Sequence, residues 1–258
     1  MTGNLLNQEA QHNFSIFRNS MVELTWEECR DRIKNGAIVF LPVGIVEAHG
    51  PHLDLSADFY LAALNCRFLQ QGLAEHKIDA LIAPPVYWGV SKDLEMYPGT
   101  FSVRPETMKA LIVDALMSLR GWGVQYIFVQ NAHGDKTHIQ MIRDAIQEVN
   151  ELGGTKVYFM WELEIEVEHG YRFPEERTGR YQPDYHAGSV ETAQMALYFP
   201  EKVKTDVAEK LPAHNSFHPD AYVGDPASYK LDIEAVKEFT QADVAVDVLK
   251  IKALLGAL

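Results

Sequence analysis

Short apolar runs alternate with longer segments of helical periodicity along most of the chain. Four runs rich in β-branched or aromatic residues predict buried strands, at residues 37–43, 80–83, 125–130 and 156–160. Helical patterns lie between and after them, at residues 57–75, 105–120, 136–151, 189–198 and 233–255. Strands that alternate with helices form parallel βαβ units, so we predict an α/β fold whose parallel sheet is covered by helices on both faces.

Local signals mark several helix ends. Thr25 and Glu28 form a capping-box pattern, and Gly36 is suited to end the helix that follows. Pro105 suits the first turn of its helix, because proline lacks the N–H that this turn leaves unpaired. We found no internal repeat or low-complexity segment. Residues 1–20 are predicted to be a loosely held N-terminal arm, and residues 21–258 a single α/β domain.

Charge and cysteine content narrow the class of protein. With 23 Lys and Arg against 36 Asp and Glu, the formal charge is −13, which disfavours nucleic acid and anionic membranes as partners. No apolar run reaches the roughly 20 residues that span a bilayer, and the polar N-terminus does not resemble a signal peptide. Cys29 and Cys66 are too far apart for a Cys-x-x-Cys site and are expected to be reduced. The expected compartment is the cytoplasm.

A first polar cluster follows the strand predicted at residues 37–43. Glu47 and His49 are two residues apart, so in an extended segment both side chains point to the same side. A carboxylate beside an imidazole suits Zn²⁺ or Mn²⁺, and Asp58 at the start of the next helix is placed to bridge two cations. The alternative is a helix-entry loop whose polar groups are hydrogen-bonded to one another.

A second cluster follows the strand predicted at residues 125–130. His133 and Asp135 repeat the spacing of an imidazole and a carboxylate two residues apart, and Asn131 could hydrogen-bond a ligand carboxylate. The alternative is a turn that caps the next helix, with Asp135 as the N-cap. Taken alone, these residues favour the alternative.

Two further clusters carry weaker signals. Glu191 lies in the first turn of a predicted helix, where the helix dipole favours a carboxylate, and His186 precedes it as a candidate general acid or base. Residues 88–91 and 97–100 are candidates for a substrate-binding wall with Ser91 as a donor, or equally for a pair of structural turns. The other histidines lack ligand spacing and are expected to be exposed or structural, except His52, which is expected beside the site. The histidines expected to be exposed or structural are His12, His76, His138, His169, His214 and His218.

The order of these motifs resembles that of the creatininase family. Residues 41–62 (LPVGIVEAHGPHLDLSADFYLA) resemble the family's leading motif, in which Glu-x-His-Gly-Pro-His is followed by an aspartate. Residues 97–100, 131–135, 186–192 and 224–226 resemble its later motifs and keep their order. Several motifs in the family's order are far more specific than any one of them.

The resemblance implies a three-layer α/β/α sandwich with a mainly parallel central sheet, two divalent cations per chain (Zn²⁺, Mn²⁺ or both) and a homohexamer. It also implies roles for single residues. His186 would carry a proton, and Glu191 would be a ligand or hydrogen-bond the reactive water. The implied metal ligands are Glu47, His49, the bridging Asp58, His133, Asp135 and Glu191. The candidate substrate-binding residues are Ser91, Gly134, Trp161 and Tyr185.

The chain departs from the family pattern at several positions. Ala48, Asp54, Ala132 and Ser189 stand where the family usually has Gln, Pro, Gly and an acidic residue. Creatininase itself has Trp-Asp shortly before the motif histidine, where this chain has Gln182 and Pro183. The residues expected to drive hydrolysis are therefore kept, whereas those expected around creatinine differ.

The predicted function is metal-dependent hydrolysis of a small molecule at a non-peptide C–N bond, in a cyclic amide or a formamide. A hydroxide bridging two cations would attack the carbonyl, since such sites lower the pKa of water from about 15.7 towards 7. Other activities linked to the family stay open: deformylation of formamidopyrimidines, peptide trimming and opening of a keto-inositol ring. A phosphate-bearing substrate would need a cationic pocket, for which Lys92, Arg104 and Lys136 are candidates. A metal-binding assembly protein without turnover is the remaining alternative, and the open, carboxylate-rich ligand set argues against it.

Overall fold

The computed structural model describes residues 15–168 and 186–256, with only the backbone at His218. The first helix, α1 (Trp26–Lys34), begins with the predicted capping box. In it, Thr25 Oγ1 accepts from the Glu28 N–H, and the Glu28 carboxylate accepts from the Thr25 N–H. Two orphan donors of the helix start are thereby satisfied.

The other elements follow in chain order. They are β1 (Ile38–Val43), α2 (Ala57–Glu75), β2 (Ala80–Ile82), α3 (Pro105–Gly121), β3 (Tyr126–Asn131), α4 (Lys136–Glu151), β4 (Lys156–Phe159), α5 (Ser189–Tyr198), α6 (Thr205–Ala208), β5 (His214–His218), β6 (Tyr222–Gly224) and α7 (Tyr229–Leu254). The predicted strands and helices agree with these bounds to within one residue, except that α7 begins at Tyr229 rather than at residue 233. The short helix α6 and the antiparallel pair β5–β6 were not predicted.

The main sheet has four parallel strands in the order β2-β1-β3-β4. In the β1–β3 pair, Val43 lies opposite Asn131, so the two central strands end side by side. The loops that carry Glu47 and His133 leave from these neighbouring ends. Parallel α/β sheets bind ligands at this carboxyl edge.

Helices cover both faces of the sheet. Val39 and Leu41 of β1 face the side on which α3 and α4 pack, whereas Ile38 and Phe40 face α2 and α7. This alternation is the period-2 pattern of a strand that is buried on both sides. The predicted three-layer α/β/α sandwich with a mainly parallel sheet is confirmed.

The described part of the predicted N-terminal arm contacts the domain. The buried Arg67 of α2 donates Nη2 hydrogen bonds to the carbonyls of Ser15 and Arg18. Residues 1–14 lie outside the described residues. Within the described ranges, no helix has the length and apolar character needed to cross a membrane.

Candidate metal centre

Carboxylates and imidazoles meet at the carboxyl edge of the sheet. Glu47 and His49 lie in the loop after β1, His133 in the loop after β3, and Asp58 in the first turn of α2. All four are buried, with exposed fractions of 5% or less. The set is completed by His186, which is also buried, and by Glu191 in the first turn of α5.

One group of ligand atoms consists of Glu47, Asp58 and His133, here called the His133 group. His133 Nδ1 lies 3.0 Å from Glu47 Oε1 and 3.1 Å from Asp58 Oδ2. These atoms come from the ends of two adjacent strands and from the helix that follows the first of them. The fold therefore brings the two strand-end motifs of the sequence together.

A second group consists of His49, Asp58 and Glu191, here called the His49 group. His49 Nε2 lies 3.4 Å from Asp58 Oδ1 and 3.5 Å from Glu191 Oε1. Asp58 therefore presents one carboxylate oxygen to each group, as a bridging carboxylate does. A third possible combination joins Glu47, His49 and His186, with His186 Nδ1 3.6 Å from Glu47 Oε1.

Each histidine of the centre is oriented by a backbone carbonyl. In the neutral ring, the nitrogen that contacts the carbonyl carries the proton, so the other nitrogen has its lone pair on the side of the carboxylates. The contacts are His49 Nδ1 to Glu47 O at 3.0 Å, His133 Nε2 to Val90 O at 3.0 Å, and His186 Nε2 to Ala48 O at 2.7 Å. Metal-binding histidines are held in this way.

Several polar atoms at the centre are buried without a hydrogen-bond partner in the described part of the chain. They are Glu47 Oε1 and Oε2, His49 Nε2 and Asp58 Oδ2. Burying such atoms without compensation costs free energy, so this set of unpaired atoms indicates a missing partner. Imidazole and carboxylate donors suit Zn²⁺ and Mn²⁺, and the residues present therefore fit divalent cations.

The ring nitrogens and carboxylates also influence one another's pKa. Burial alone would lower the pKa of His133, but the nearby Asp58 and Glu47 carboxylates outweigh it and raise the pKa to about 10. Burial likewise opposes protonation of His49, whose pKa is nevertheless raised well above its usual value by Glu191 and Asp58. Without a cation, the protonated imidazoles of His133 and His49 offset the negative charge of the carboxylates. Cation binding would release these protons.

His186 differs from the other two histidines. Its pKa is lowered, first by burial and then by the positive charge of His49, so it is neutral at pH 7. Its ring lies 4.3 Å from the His49 ring, measured between centroids. A neutral imidazole beside the ligand atoms can accept a proton at Nδ1, because Nε2–H is bound to the Ala48 carbonyl.

Close packing brings Asp58 to the end of β1. A Cβ atom at Gly44 would lie 2.7 Å from the Phe59 N and 2.9 Å from the Asp58 carbonyl carbon, closer than non-bonded atoms can approach. The missing side chain therefore lets α2 begin against the ligand loop. From the other side, Thr100 Oγ1 accepts from the Ala48 N–H at 3.0 Å, so the 97–100 motif braces this loop.

Asp135 belongs to none of the three ligand groups found among the described residues. Its Oδ1 accepts from the N–H groups of Thr137 and His138, and its Oδ2 accepts from the Lys92 N–H at 3.0 Å. This is the N-cap alternative that the sequence left open. Asn131 likewise bonds the backbone of His133 rather than a carboxylate.

The structure describes three of the four candidate substrate-binding residues. Ser91 is buried beside Val90, and its N–H donates to Ser102 Oγ. Gly134 is exposed with open space where a Cβ would lie, and Trp161, 48% exposed, follows the end of β4. Tyr185, Gln182 and Pro183 lie outside the described residues.

The structure adds an aromatic side chain that the sequence did not indicate. The Phe217 ring in β5 lies 5.7 Å from the His186 ring and is 47% exposed. Tyr97 Oη donates to the Pro219 carbonyl at 2.7 Å and so ties the β5–β6 turn to the 97–100 loop. The strand His214–His218 has no alternation of apolar and polar residues from which a site could be predicted.

Comparison with known proteins identifies relatives along most of the chain. A family model named Creatininase and described as creatinine amidohydrolase matches residues 22–242. A creatinine amidohydrolase of Pseudomonas putida is 27% identical over 220 residues, which cover 80% of this chain and 81% of that protein. A mycofactocin precursor peptide peptidase of Mycolicibacterium smegmatis is 39% identical over 98 residues, and this match spans only 38% of this chain and 39% of that protein.

Solved structures show the same fold. A mutant creatininase in its type II form aligns with a TM-score of 0.74 at 20% sequence identity. The alignment covers 93% of this chain and 99% of that chain.

Proposed function

The chain belongs to the creatininase family, and on that premise we propose that it is a hydrolase that uses two divalent cations to open an amide C–N bond in a small molecule. The observation that carries the proposal is the placement of Asp58. Its two oxygens face two separate sets of ligand atoms, the His133 group and the His49 group. A carboxylate shared in this way is typical of sites that hold two metal ions.

The charge balance supports two cations. Glu47, Asp58 and Glu191 bring three negative charges into a buried pocket, and the histidines are neutral when they act as ligands. One divalent cation would leave the pocket negative, which would repel the negative charge that develops on a carbonyl oxygen during attack. Two divalent cations leave a net positive charge of one, which stabilises it.

The chain's own residues supply the remaining functions. Divalent cations polarise a carbonyl and lower the pKa of water, which is the chemistry expected of them here. Glu47, His49, Asp58 and His133 hold the cations, and Glu191 completes the second position. His186 accepts a proton at Nδ1 and passes it to the leaving nitrogen, while the Ala48 carbonyl keeps its ring from turning.

Two kinds of C–N bond are candidates for cleavage. The departures at Gln182 and Pro183 argue against creatinine itself and leave other cyclic amides and formamides as substrates. The similarity to a mycofactocin precursor peptide peptidase favours a second candidate, a peptide bond. Phe217, which contacts His186 and is 47% exposed, is a surface that either substrate could contact.

The experiment is a turnover panel on protein loaded with Zn²⁺ or Mn²⁺. The panel holds creatinine, formamides, cyclic amides and short peptides, with metal content counted in the same sample and metal-free protein as the control. We expect metal-dependent hydrolysis of at least one amide class. Two bound ions without turnover of any amide would overturn the proposal and favour an assembly role. The homohexamer and the cytoplasmic location remain predictions.

A further inference from the structure

A second histidine lies directly behind His133. His138, in the first turn of α4, is fully buried, and its ring meets the His133 ring edge-to-face with 4.7 Å between centroids. It belongs to none of the three ligand groups among the described residues. Its distance from His133 in sequence gave no ligand spacing, so its role has to be read from its contacts.

Hydrogen bonds fix the orientation and the tautomer of this ring. The Val90 N–H donates to His138 Nδ1 at 3.3 Å, so Nδ1 is an acceptor and the ring proton is on Nε2. Nε2–H then donates to Asn131 Oδ1 at 3.2 Å. His138 therefore links the loop that holds Val90 to the end of β3.

Both partners of His138 also hold His133. Asn131 Oδ1 accepts from the His133 N–H at 3.2 Å, and Asn131 Nδ2 donates to the His133 carbonyl at 2.6 Å. The Val90 carbonyl accepts from His133 Nε2 at 3.0 Å. The backbone and the ring of His133 are thus fixed by two groups that are themselves fixed by His138.

The space around His138 leaves little freedom. A Cβ atom at Gly89 would lie 2.7 Å from both Cε1 and Nδ1 of the His138 ring. The loop before Val90 therefore packs directly on the imidazole. A ring held by two hydrogen bonds and this contact transmits its position to Val90 and Asn131.

We propose that His138 is a positioning residue that fixes His133 Nδ1 for metal binding. The inference rests on the proposed function, in which His133 is a ligand. His138 acts through Nδ1, which accepts from the Val90 N–H, and through Nε2–H, which donates to Asn131 Oδ1. An amide side chain of similar length can make both hydrogen bonds, whereas an apolar side chain cannot. Groups that hydrogen-bond a metal ligand directly typically contribute about 10–100-fold to metal affinity, and His138 holds two such groups, Val90 and Asn131.

The test measures Zn²⁺ affinity by chelator competition in wild-type protein and in His138→Leu, His138→Gln and His76→Leu. His76 is exposed at the end of α2 and controls for the loss of an imidazole. We expect His138→Leu to raise the Kd by about 10–100-fold, His138→Gln to recover much of it, and His76→Leu to leave it unchanged. The Co²⁺ absorption spectrum should change in His138→Leu, because a displaced His133 alters the ligand geometry.

The outcomes separate this inference from the proposed function. If wild-type protein binds no Zn²⁺, the proposed function fails and the inference fails with it. If wild-type protein binds Zn²⁺ and His138→Leu binds it equally tightly with the same Co²⁺ spectrum, only the inference is overturned. If His138→Leu does not fold, His138→Asn takes its place, because its shorter amide cannot reach both partners and should lose the same affinity.

Discussion

The His133 group and the His49 group share Asp58 but are held in different ways. The His133 group lies at the ends of β1 and β3, its three residues are at most 5% exposed, and the Val90 carbonyl holds the imidazole from behind. The His49 group takes Glu191 from α5, a helix from a much later part of the chain, and the Glu191 side chain is 17% exposed. Loops at the edge of the sheet and the start of α2 supply the whole His133 group, whereas the His49 group also needs Glu191 from α5.

The second position also lies beside the residues expected to act on substrate. Glu191 Oε2 accepts from the Ala187 N–H at 2.6 Å, which leaves Oε1 for the cation. Ala187 has a φ of +51°, a left-handed conformation that costs a non-glycine residue roughly 1–2 kcal/mol. It directly follows His186, whose ring contacts the exposed Phe217. The His133 group is therefore the more deeply buried cation position, and the His49 group lies next to His186 and the exposed Phe217.

Loss of the shared residue should have the largest effect. Asp58→Asn removes the charge that both groups use, so we expect both ions to be lost and activity to fall by roughly 10³-fold or more. Metal content and turnover are measured together. Asp54→Asn is the matched control, because the Asp54 carboxylate pairs with Lys202 and Ser56 outside the two groups. Two ions retained in Asp58→Asn would refute the bridging role.

A smaller effect confined to the rate is expected at the substrate side. His186→Ala should lower kcat by about 10²–10⁴-fold, the usual contribution of a general acid or base, while the metal content stays near that of the wild type. Steady-state kinetics and metal analysis of one preparation check this. Loss of an ion in this variant would instead make His186 a ligand, in the third combination with Glu47 and His49.

The smallest effect is expected from a substitution at Asp247 in α7, outside both groups, and it concerns the free energy of unfolding. Burial, together with the neighbouring Asp243, raises the pKa of Asp247 to about 6, and Lys250 only partly offsets this. The unfolded chain loses this proton near pH 4, so ionisation lowers the free energy of unfolding as the pH rises from about 4 to about 6. Asp247→Asn should be more stable than the wild type by up to about 3 kcal/mol above pH 6 and equal to it below pH 4.

Urea unfolding at pH 4 and pH 7.5 measures this difference, and metal content is the control. A stability gain with unchanged metal content would show that the two groups are insulated from α7. An equal difference at both pH values would contradict the raised pKa of Asp247.

The strand and helix patterns of the sequence predicted which loops and helix starts carry most of the candidate metal ligands. Parallel strands end at one edge, so the loops that carry Glu47, His49 and His133 were bound to lie at the same edge of the sheet, whereas the adjacency of β1 and β3 is a finding of the structure. Asp58 followed from its place at the start of a helix. The family motif supplied Glu191, since no local pattern shows how far α5 lies from β1.

The remaining features depend on contacts that leave no trace in residue type. The carbonyls of Val90 and Ala48 orient two histidines, and any residue at those positions has a carbonyl. Asp135 fitted both a ligand and an N-cap, and only its three backbone contacts favour the cap. The β5–β6 pair, with Phe217, is formed through contacts with distant segments and not through its own periodicity.

The most direct test counts Zn²⁺ or Mn²⁺ ions per chain in wild-type protein and in Glu191→Gln after dialysis against metal-free buffer. The substitution weakens only the His49 group and leaves Glu47, Asp58 and His133 in place. The account predicts about two ions in the wild type and about one in the variant, which the His133 group retains. A wild type without bound ions, or a variant that keeps as many ions as the wild type, would contradict it.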